Sequence, residues 1–304
     1  MAAVPAPARA ISGAAFATLL LIALMMGANH VAARVAFNNG MGVATAVVFR
    51  SLVTAGVIVL ILVVQGVRPQ FTPRHRKMLL AIGLLIGVQS LCLYSSVARL
   101  PVALALLAFN TYPIWTAFWS FVVYRKRPEK AMLVAMPVIL VGLALALDVF
   151  GATSGLGASG QWARIGAGVA FALAAAGTFG LALVLTQHEA GDVDGRVRTA
   201  TTMVLAGVVA LATVGTQGGF QLPTATAGWL GLAALTFLYG TAFTIMFTVL
   251  PRLGVVGNSA IMNVEPVFAL VLAWMLLGQA IAPVQVGGAL LVVGAVMALG
   301  LRKR

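Results

Sequence analysis

The chain has 304 residues, of which 62% are hydrophobic and 8% are charged. Soluble domains carry about 25% charged residues, so this composition excludes an ordinary soluble protein and is typical of an integral membrane protein. The net charge of +13 does not indicate a nucleic-acid binder, because the basic residues lie in short gaps between apolar segments, where they orient a membrane protein.

Ten apolar segments follow one another along the chain, separated by charged residues, Pro and Gly. A helix needs about 20 apolar residues to cross a bilayer core of about 30 Å, and these segments have that length. They lack the alternating polar residues of barrel strands, which favours helices. The first is too long for the core of a cleaved signal sequence, so it is predicted to be a span. The predicted spans are residues 13–36, 43–64, 78–97, 102–124, 131–150, 162–187, 199–216, 226–250, 256–277 and 283–301.

Lys and Arg are distributed unevenly between the loops on the two sides. If the N-terminus is cytoplasmic, the cytoplasmic regions hold 15 of the 19 basic residues, and the external loops hold only Arg99 and Arg164. The remaining two, Arg34 and Arg50, lie within or beside helices. The positive-inside rule therefore predicts that both termini are cytoplasmic.

One pattern occurs twice in the chain, 153 residues apart, which is about half its length. Each half holds five predicted spans, an odd number, so the second half enters the membrane with the opposite polarity. We predict an all-α membrane protein of two inverted five-helix repeats, residues 1–150 and 162–304, joined by an external Gly-rich linker at 151–161. The recurring residues are Arg99, Leu100, Asn110 and Pro113 in the first copy and Arg252, Leu253, Asn263 and Pro266 in the second.

Glu265 precedes the second proline and is the only acidic residue deep in any predicted span; Asp148 lies near the outer end of helix five. Glu265 lies about 15 Å into its helix, near the bilayer centre, and Tyr112 occupies the matching position in the first copy. A lone carboxylate at that depth costs several kcal/mol, which indicates a functional role. Glu265 would bind a substrate amine or couple transport to protons. The alternatives are a static pair with Arg50 or Arg34 and a protonated carboxyl group bound to Asn263.

The two prolines interrupt their helices at matching depth. A proline inside a helix displaces the carbonyl group four residues earlier, which predicts free carbonyl groups at Phe109 and Met262 that can bind an ammonium group. The alternative is that both prolines only bend the helices for packing.

Several other polar and aromatic residues lie inside the predicted spans. The deeply placed Arg50 is suited to hold a carboxylate, whereas Arg34 is closer to the end of its helix and is expected to reach the head groups. His30 is expected to line the cavity or to be a hydrogen-bonded packing residue. The predicted pathway residues are Asn29, His30, Arg50, Tyr94, Asn110, Tyr112, Pro113, Trp115, Tyr239, Asn263, Glu265 and Pro266.

The two five-span halves, the run Pro-Val-Phe-Ala-Leu at 266–270, Leu-Leu-Gly at 276–278 and the Gly-rich last helix resemble the EamA family of the drug/metabolite transporter superfamily. Gln279 departs from the family pattern, which usually has a glutamate after the glycine. The second departure is Arg125-Lys126-Arg127, at the corresponding place in the first half. The resemblance implies a multi-pass protein of the bacterial inner membrane that exports small metabolites, above all amino acids, by alternating access. It places the site between helices one to four and six to nine, with helices five and ten peripheral.

Two alternatives stay open at this stage: an exporter of cationic drugs or other metabolites, and an intramembrane enzyme. The second has little support, because the Gly157-Ala158-Ser159-Gly160 motif is about 40 Å from His188 along a helix. The Gly-x-Gly-x-x-Gly match at 155–160 has no βαβ unit around it. Three scattered histidines and the single Cys92 predict neither a metal site nor an intramolecular disulfide. The expected partners are a small-molecule substrate, membrane lipid and, where transport is proton-coupled, protons; no cofactor is expected.

Overall fold

The computed structural model describes residues 12–67, 69–249 and 260–302, and within these ranges the chain is helical, with no β-strand. The first copy of the repeated pattern is described in full, whereas Arg252 and Leu253 of the second lie outside the described residues. The α-helices are α1 (Gly13–Asn38), α2 (Val43–Val64), α3 (Pro73–Val97), α4 (Val102–Phe109), α5 (Tyr112–Tyr124), α6 (Lys130–Ala146), α7 (Gly157–Glu189), α8 (Gly195–Thr216), α9 (Thr226–Thr248), α10 (Glu265–Leu277) and α11 (Pro283–Arg302).

All ten predicted apolar segments contain helix. Seven helical stretches in the described residues, counting α4 and α5 together, are long and apolar enough to cross a membrane. The three stretches at Lys130–Ala146, Ile261–Leu277 and Pro283–Leu299 are shorter but also apolar. A multi-pass membrane protein is therefore confirmed, and the number of ten crossings stays a prediction.

The fourth predicted span is broken rather than continuous. α4 ends at Phe109, Asn110 and Thr111 form a turn, and α5 begins at Tyr112, so Pro113 lies in the first turn of a new helix. Pro266 lies likewise in the first turn of α10, after a 3₁₀ helix at Ala260–Val264. The expectation that both prolines lie in the interior of their helices is wrong. In the first turn the missing N–H group has no helical partner to lose, and the fixed φ of proline suits the helix start.

Three helix limits differ from the predicted spans because local turn chemistry overrides hydropathy. α3 begins at Pro73, since the Thr72 hydroxyl accepts a hydrogen bond from the His75 N–H group at 3.2 Å and caps the helix. α6 ends at Ala146, and Asp148 then adopts a left-handed φ of 49°. The backbone N–H groups of Thr153 and Ser154 donate to the Asp148 carboxylate and hold its pKa below the usual value. α7 begins at Gly157, inside the stretch predicted as a linker.

The two halves match in detail at the offset of 153 residues. α5 and α10 begin and end at equivalent positions. Each ends at a left-handed residue, Arg125 with φ 56° and Gly278 with φ 63°. The following N–H group, of Lys126 or Gln279, donates to the carbonyl of Ser120 or Ala273, in both cases at 3.2 Å. Arg125 therefore has the conformation of its glycine counterpart, although the residue type differs.

Equivalent glycines allow equivalent close packing in the two halves. A Cβ atom added at Gly27 of α1 would lie 3.0 Å from the Glu265 carbonyl oxygen and 3.1 Å from the Ala269 nitrogen of α10. A Cβ atom added at Gly180 of α7 would lie 2.8 Å from the nitrogen of Thr116, the counterpart of Ala269. These glycines bring the two broken helices against α1 and α7.

We expect Gly27→Ala and Gly180→Ala each to destabilise the protein by about 1–3 kcal/mol, because the new methyl group meets backbone atoms that must shift. Thermal unfolding in detergent measures the effect. Gly56→Ala in α2 and Gly287→Ala in α11 are the controls, since a Cβ atom there meets nothing within 4 Å. The controls should be neutral or stabilising by up to about 1 kcal/mol. Equal stability of all four variants would contradict this account of the packing.

Candidate functional site

A cavity of about 790 Å³ lies between the halves and is lined by α1–α5 and α7–α10, together with the 3₁₀ helix. It reaches Gln65 after α2, Gly191 between α7 and α8, and Thr248 at the end of α9. We call this side of the protein the open end. α6 and α11 contribute no lining residue among those described, which agrees with the peripheral position expected for the fifth and tenth spans.

The opposite side, the sealed end, is closed by backbone contacts between the α1–α2 turn and the α8–α9 loop. The Gly42 N–H group donates to the Gln221 carbonyl, and the Thr224 N–H group donates to the Asn39 carbonyl, each at 3.0 Å. The Gln221 N–H group also donates to the Thr45 hydroxyl at 3.1 Å. α1 thus ends at the sealed end, whereas its counterpart α7 ends at the open end, so the two halves run in opposite directions.

Two further polar residues are used for structure at the sealed end. Arg34 donates to the carbonyl groups of Val97 and Leu100 at 2.7 and 3.3 Å, and so satisfies the end of α3. The side-chain oxygen of Gln279 accepts a hydrogen bond from the Val102 N–H group at 3.0 Å and caps α4. Gln279 therefore joins the end of α10 to the start of α4 without a charge.

Arg50 is the buried cation of the cavity, with an exposed fraction of 3%. Its Nη2 donates to the Ser90 hydroxyl at 2.7 Å. Its guanidinium carbon lies 4.6 Å from the centre of the Tyr94 ring and 4.0 Å from that of Tyr239, which stabilises the cation in the absence of water. None of the four ion pairs among the described residues includes Arg50, and its Nε has no hydrogen-bond partner there.

A second layer of residues holds Arg50 in place. The Tyr94 hydroxyl donates to the Asn29 side-chain oxygen at 2.7 Å, and the Asn29 amide donates to the Met26 carbonyl at 3.3 Å. The Ser90 hydroxyl donates to the Gln89 side-chain oxygen at 3.3 Å. Asn29 and Tyr94 are fully buried and lie behind the cavity wall, so they position Arg50 and do not line the cavity as predicted.

Glu265 contributes a carboxylate to the cavity within the membrane-spanning helices, and its partner is His30. Glu265 Oε1 lies 3.3 Å from His30 Nε2, and the exposed fractions of the two side chains are 23% and 3%. Glu265 is the first residue of α10, where unpaired N–H groups favour a negative charge. The static pair with Arg50 or Arg34 considered from the sequence is not observed. His30 Nδ1 has no hydrogen-bond partner among the described residues.

The two copies of the repeated pattern meet at this point. The Tyr112 hydroxyl donates to the Asn263 side-chain oxygen at 3.1 Å, which links the start of α5 to the segment before α10. Seven of the twelve predicted residues line the cavity. They are His30, Arg50, Asn110, Tyr112, Tyr239, Asn263 and Glu265.

The remaining predicted residues have other positions. Pro113 and Pro266 begin helices and do not line the cavity. Trp115 lies against Gly177 and Gly180 of α7, and a Cβ atom added at Gly180 would lie 2.9 Å from the Trp115 Cβ atom. Its role is therefore packing. The predicted release of the Phe109 and Met262 carbonyl groups stays a prediction.

Sequence patterns did not indicate the apolar part of the cavity wall. Its members include Met26, Ile86, Phe109, Phe179, Leu183, Met203, Phe243, Met246 and Met262. An apolar residue in an apolar helix has no distinguishing signal. The offset of 153 would have found several of them, since Met203 is the counterpart of Arg50, and Leu183 is the counterpart of His30.

Charged residues cluster at the open end. Glu189 at the end of α7 binds Arg74 at 2.5 Å and accepts a hydrogen bond from the Tyr124 hydroxyl at 2.6 Å. Asp194, the N-cap of α8, binds Arg196, and this guanidinium lowers the pKa of Asp194. These pairs give the mouth of the cavity a polar rim.

Enzymatic and metal-binding arrangements find no support in the described residues. Ser159 and His188 lie on the single helix α7, 29 residues and about 44 Å apart. The described His, Cys, Asp and Glu residues form no group of three that could hold a metal ion. The cavity presents a guanidinium, a carboxylate next to a histidine, and apolar side chains.

Comparison with known proteins agrees with this geometry. The sequence profile described as the EamA-like transporter family matches residues 13–147 and 166–301. The threonine/homoserine exporter RhtA of Escherichia coli (strain K12) is 25% identical over 243 residues, which are 80% of this chain and 76% of the relative. RhtA of Salmonella typhimurium (strain SL1344) is 24% identical over 238 residues, 76% of this chain and 73% of the relative.

A solved crystal structure has the same fold. It is 19% identical in sequence and superimposes with a TM-score of 0.59. The match covers 96% of this chain and 99% of the solved one. The two profile matches begin 153 residues apart, as the internal repeat does. The resemblance stated from the sequence is confirmed, and transport rather than catalysis is the activity of the family. The chain belongs to the EamA-like transporter family.

Proposed function

We propose that this protein is a secondary carrier that exports small zwitterionic metabolites, most of all amino acids, across the bacterial inner membrane. The observation that carries the proposal is that one cavity holds two groups of opposite charge that are not paired with each other. Arg50 offers a guanidinium that has no ion-pair partner among the described residues, and Glu265 offers a carboxylate next to His30. A guanidinium binds a carboxylate with two parallel hydrogen bonds, and a carboxylate binds an ammonium group.

The named relatives support the same class of substrate. RhtA is described as an exporter of threonine and homoserine, which share the α-amino acid head group. At 24–25% identity the substrate side chain need not be the same, but an amino-acid head group carries charges complementary to Arg50 and Glu265. The proposed direction of transport rests on the same relatives.

We place the open end in the cytoplasm. Arg74 and Arg196 lie there, and cytoplasmic regions hold most Lys and Arg in bacterial membrane proteins. The structure would then be the state that takes up substrate from the cytoplasm, with both termini on that side. The proposed repeat units are residues 1–150 and 162–304, with 151–161 between them.

Release on the other side requires the sealed end to open. In inverted repeats the two halves exchange conformations, so that one end opens as the other closes. Four hydrogen bonds join the α1–α2 turn and the first residues of α2 to the α8–α9 loop. Two of the four connect backbone groups only. Separation of the α1–α2 turn from the α8–α9 loop is the proposed opening step.

An exporter of cationic drugs is the second candidate, because Glu265 alone suits a cation. Arg50 disfavours this function, since its buried guanidinium repels a cationic substrate in the same cavity. Proteoliposomes holding the purified protein separate the two. Labelled leucine should be exchanged, and unlabelled leucine should compete at least tenfold better than isoamylamine, its decarboxylated analogue. Equal competition would favour the drug exporter, and the absence of amino-acid flux would contradict the proposal.

A cysteine pair tests whether the sealed end must open. We expect Gly42→Cys with Gln221→Cys, in a Cys92→Ala background, to be inactive when oxidised and active after reduction. A Cβ atom at Gly42 lies 3.0 Å from the Gln221 Cβ, so a small shift gives the 3.5–4.5 Å span of a disulfide. Each single cysteine variant is the control and should be unaffected by oxidant. Full leucine exchange in the oxidised double variant would rule out release through this end.

A further inference from the structure

The cavity is built from equivalent positions of both halves, but the two sets of side chains differ in character. Arg50 and Met203 are counterparts at the offset of 153, as are His30 and Leu183, and all four line the cavity. Ser90, which binds Arg50, corresponds to Phe243. The polar groups of α1, α2 and α3 are therefore matched by apolar groups of α7, α8 and α9.

The apolar groups begin directly beside the guanidinium. Tyr239 lies 4.0 Å from the Arg50 guanidinium carbon on one side, and its hydroxyl lies 3.6 Å from the Met203 sulfur. Its ring is 4.5 Å from that of Phe243. Met26, Ile86 and Phe243 pack around Met203 and Tyr239 in one cluster, and all five residues line the cavity.

The hydroxyl groups nearest along α8 are already used by the backbone. Thr202 donates to the Thr199 carbonyl at 3.0 Å, and Thr199 donates to the Gly195 carbonyl at 2.8 Å. The one hydroxyl of the cluster around Met203 is that of Tyr239, which already contacts the Met203 sulfur. A hydroxylated substrate side chain there would therefore exchange its hydrogen bonds to water for at most one to Tyr239. Methionine side chains are flexible and accommodate apolar groups of varied shape.

We propose that the cluster of Met26, Ile86, Met203, Tyr239 and Phe243 is a subsite for the substrate side chain. It selects amino acids with bulky apolar side chains, whether branched or unbranched. It excludes hydroxylated side chains such as those of threonine and homoserine. This inference rests on the proposed function, because the carboxylate of the substrate is held at Arg50 and its side chain extends past Tyr239.

Competition against labelled norleucine, bound to the purified protein in detergent, tests the subsite. Affinity should rise about fourfold per methylene through alanine, 2-aminobutyrate, norvaline and norleucine, as expected for about 0.8 kcal/mol per buried methylene. Norvaline should compete at least tenfold better than homoserine, which has the same shape with a hydroxyl in place of the terminal methyl group. Valine should likewise compete better than threonine.

A polar variant of the same length identifies the subsite. Met203→Gln should reduce the preference for norvaline over homoserine at least threefold, and Met203→Leu should retain it. Met275→Gln is the control, since Met275 is on the exposed side of α10. Homoserine binding as tightly as norvaline to the wild type would overturn the subsite while leaving the amino-acid carrier intact. If no amino acid of the series binds, both the subsite and the proposed function are wrong.

Discussion

Glu265→Gln should abolish proton-driven uphill export and make the remaining exchange independent of pH. Two of the described acidic residues line the cavity: Asp194 lies at its mouth, before α8, whereas Glu265 begins α10 and contacts His30 at 3.3 Å. A carboxylate can take up a proton when substrate leaves and release it when substrate binds, whereas an amide cannot. Glutamine keeps the size and hydrogen-bonding capacity of the side chain, so the loss would reflect proton exchange and not packing.

Leucine uptake into inside-out vesicles with and without an imposed pH gradient measures this loss. Glu129→Gln is the matched control, because Glu129 is exposed just before α6 and should behave as the wild type. His30→Gln separates the two members of the pair: if the histidine only orients the carboxylate, coupling is weakened but retained. Undiminished gradient-driven uptake by Glu265→Gln would make the carboxylate a structural group.

The fold could be predicted in outline from the sequence because its signals are redundant. Hydropathy locates the helices, and the spacing between Asn110 and Asn263 gives the offset at which α5 and α10 later prove equivalent. The errors lie where a few atoms decide the outcome. Thr72 lengthens α3 by capping it, and the turn at Asn110 and Thr111 divides a span that hydropathy shows as continuous.

The site was predictable where a residue is costly in a membrane and unpredictable where it is ordinary. Arg50, His30 and Glu265 are conspicuous because burial of charge needs a reason. Met203 and Phe243 are not, since nothing in an apolar helix distinguishes a cavity wall from a lipid-facing side. Trp115 shows the converse error, because an aromatic side chain inside a span suggests binding while its real neighbour is a glycine of α7.

The division of roles between the repeats follows from the same contacts. Tyr112 and Glu265 are counterparts, yet Tyr112 binds Asn263 and joins the two broken helices, while Glu265 binds His30. The first half supplies Arg50 and His30, and the second half supplies Glu265 and most of the apolar wall. A substrate that contacts all of them would bridge the two halves.

Arg50→Met is expected to weaken amino-acid binding about 100-fold, since truncating one partner of a buried charge pair costs about 2–5 kcal/mol. Methionine fills the space between Tyr94 and Tyr239 but offers no donor to a carboxylate. Arg50→Lys should have an intermediate effect, because it keeps the charge and loses the planar pair of donors. Competition by leucine and by isoamylamine against a labelled ligand measures both variants. The preference for leucine should disappear in Arg50→Met, since the two compounds differ only in the carboxylate.

Arg34→Met is the control for Arg50→Met, because it removes a half-buried arginine that lies outside the cavity. Its guanidinium binds the carbonyl groups of Val97 and Leu100 at the sealed end and does not reach the cavity, so the variant should lose stability but keep its preference for leucine. Thermal unfolding in detergent, recorded beside the binding data, separates damage to the fold from damage to the site. A fully folded Arg50→Met protein that still prefers leucine over isoamylamine would show that the carboxylate is bound elsewhere.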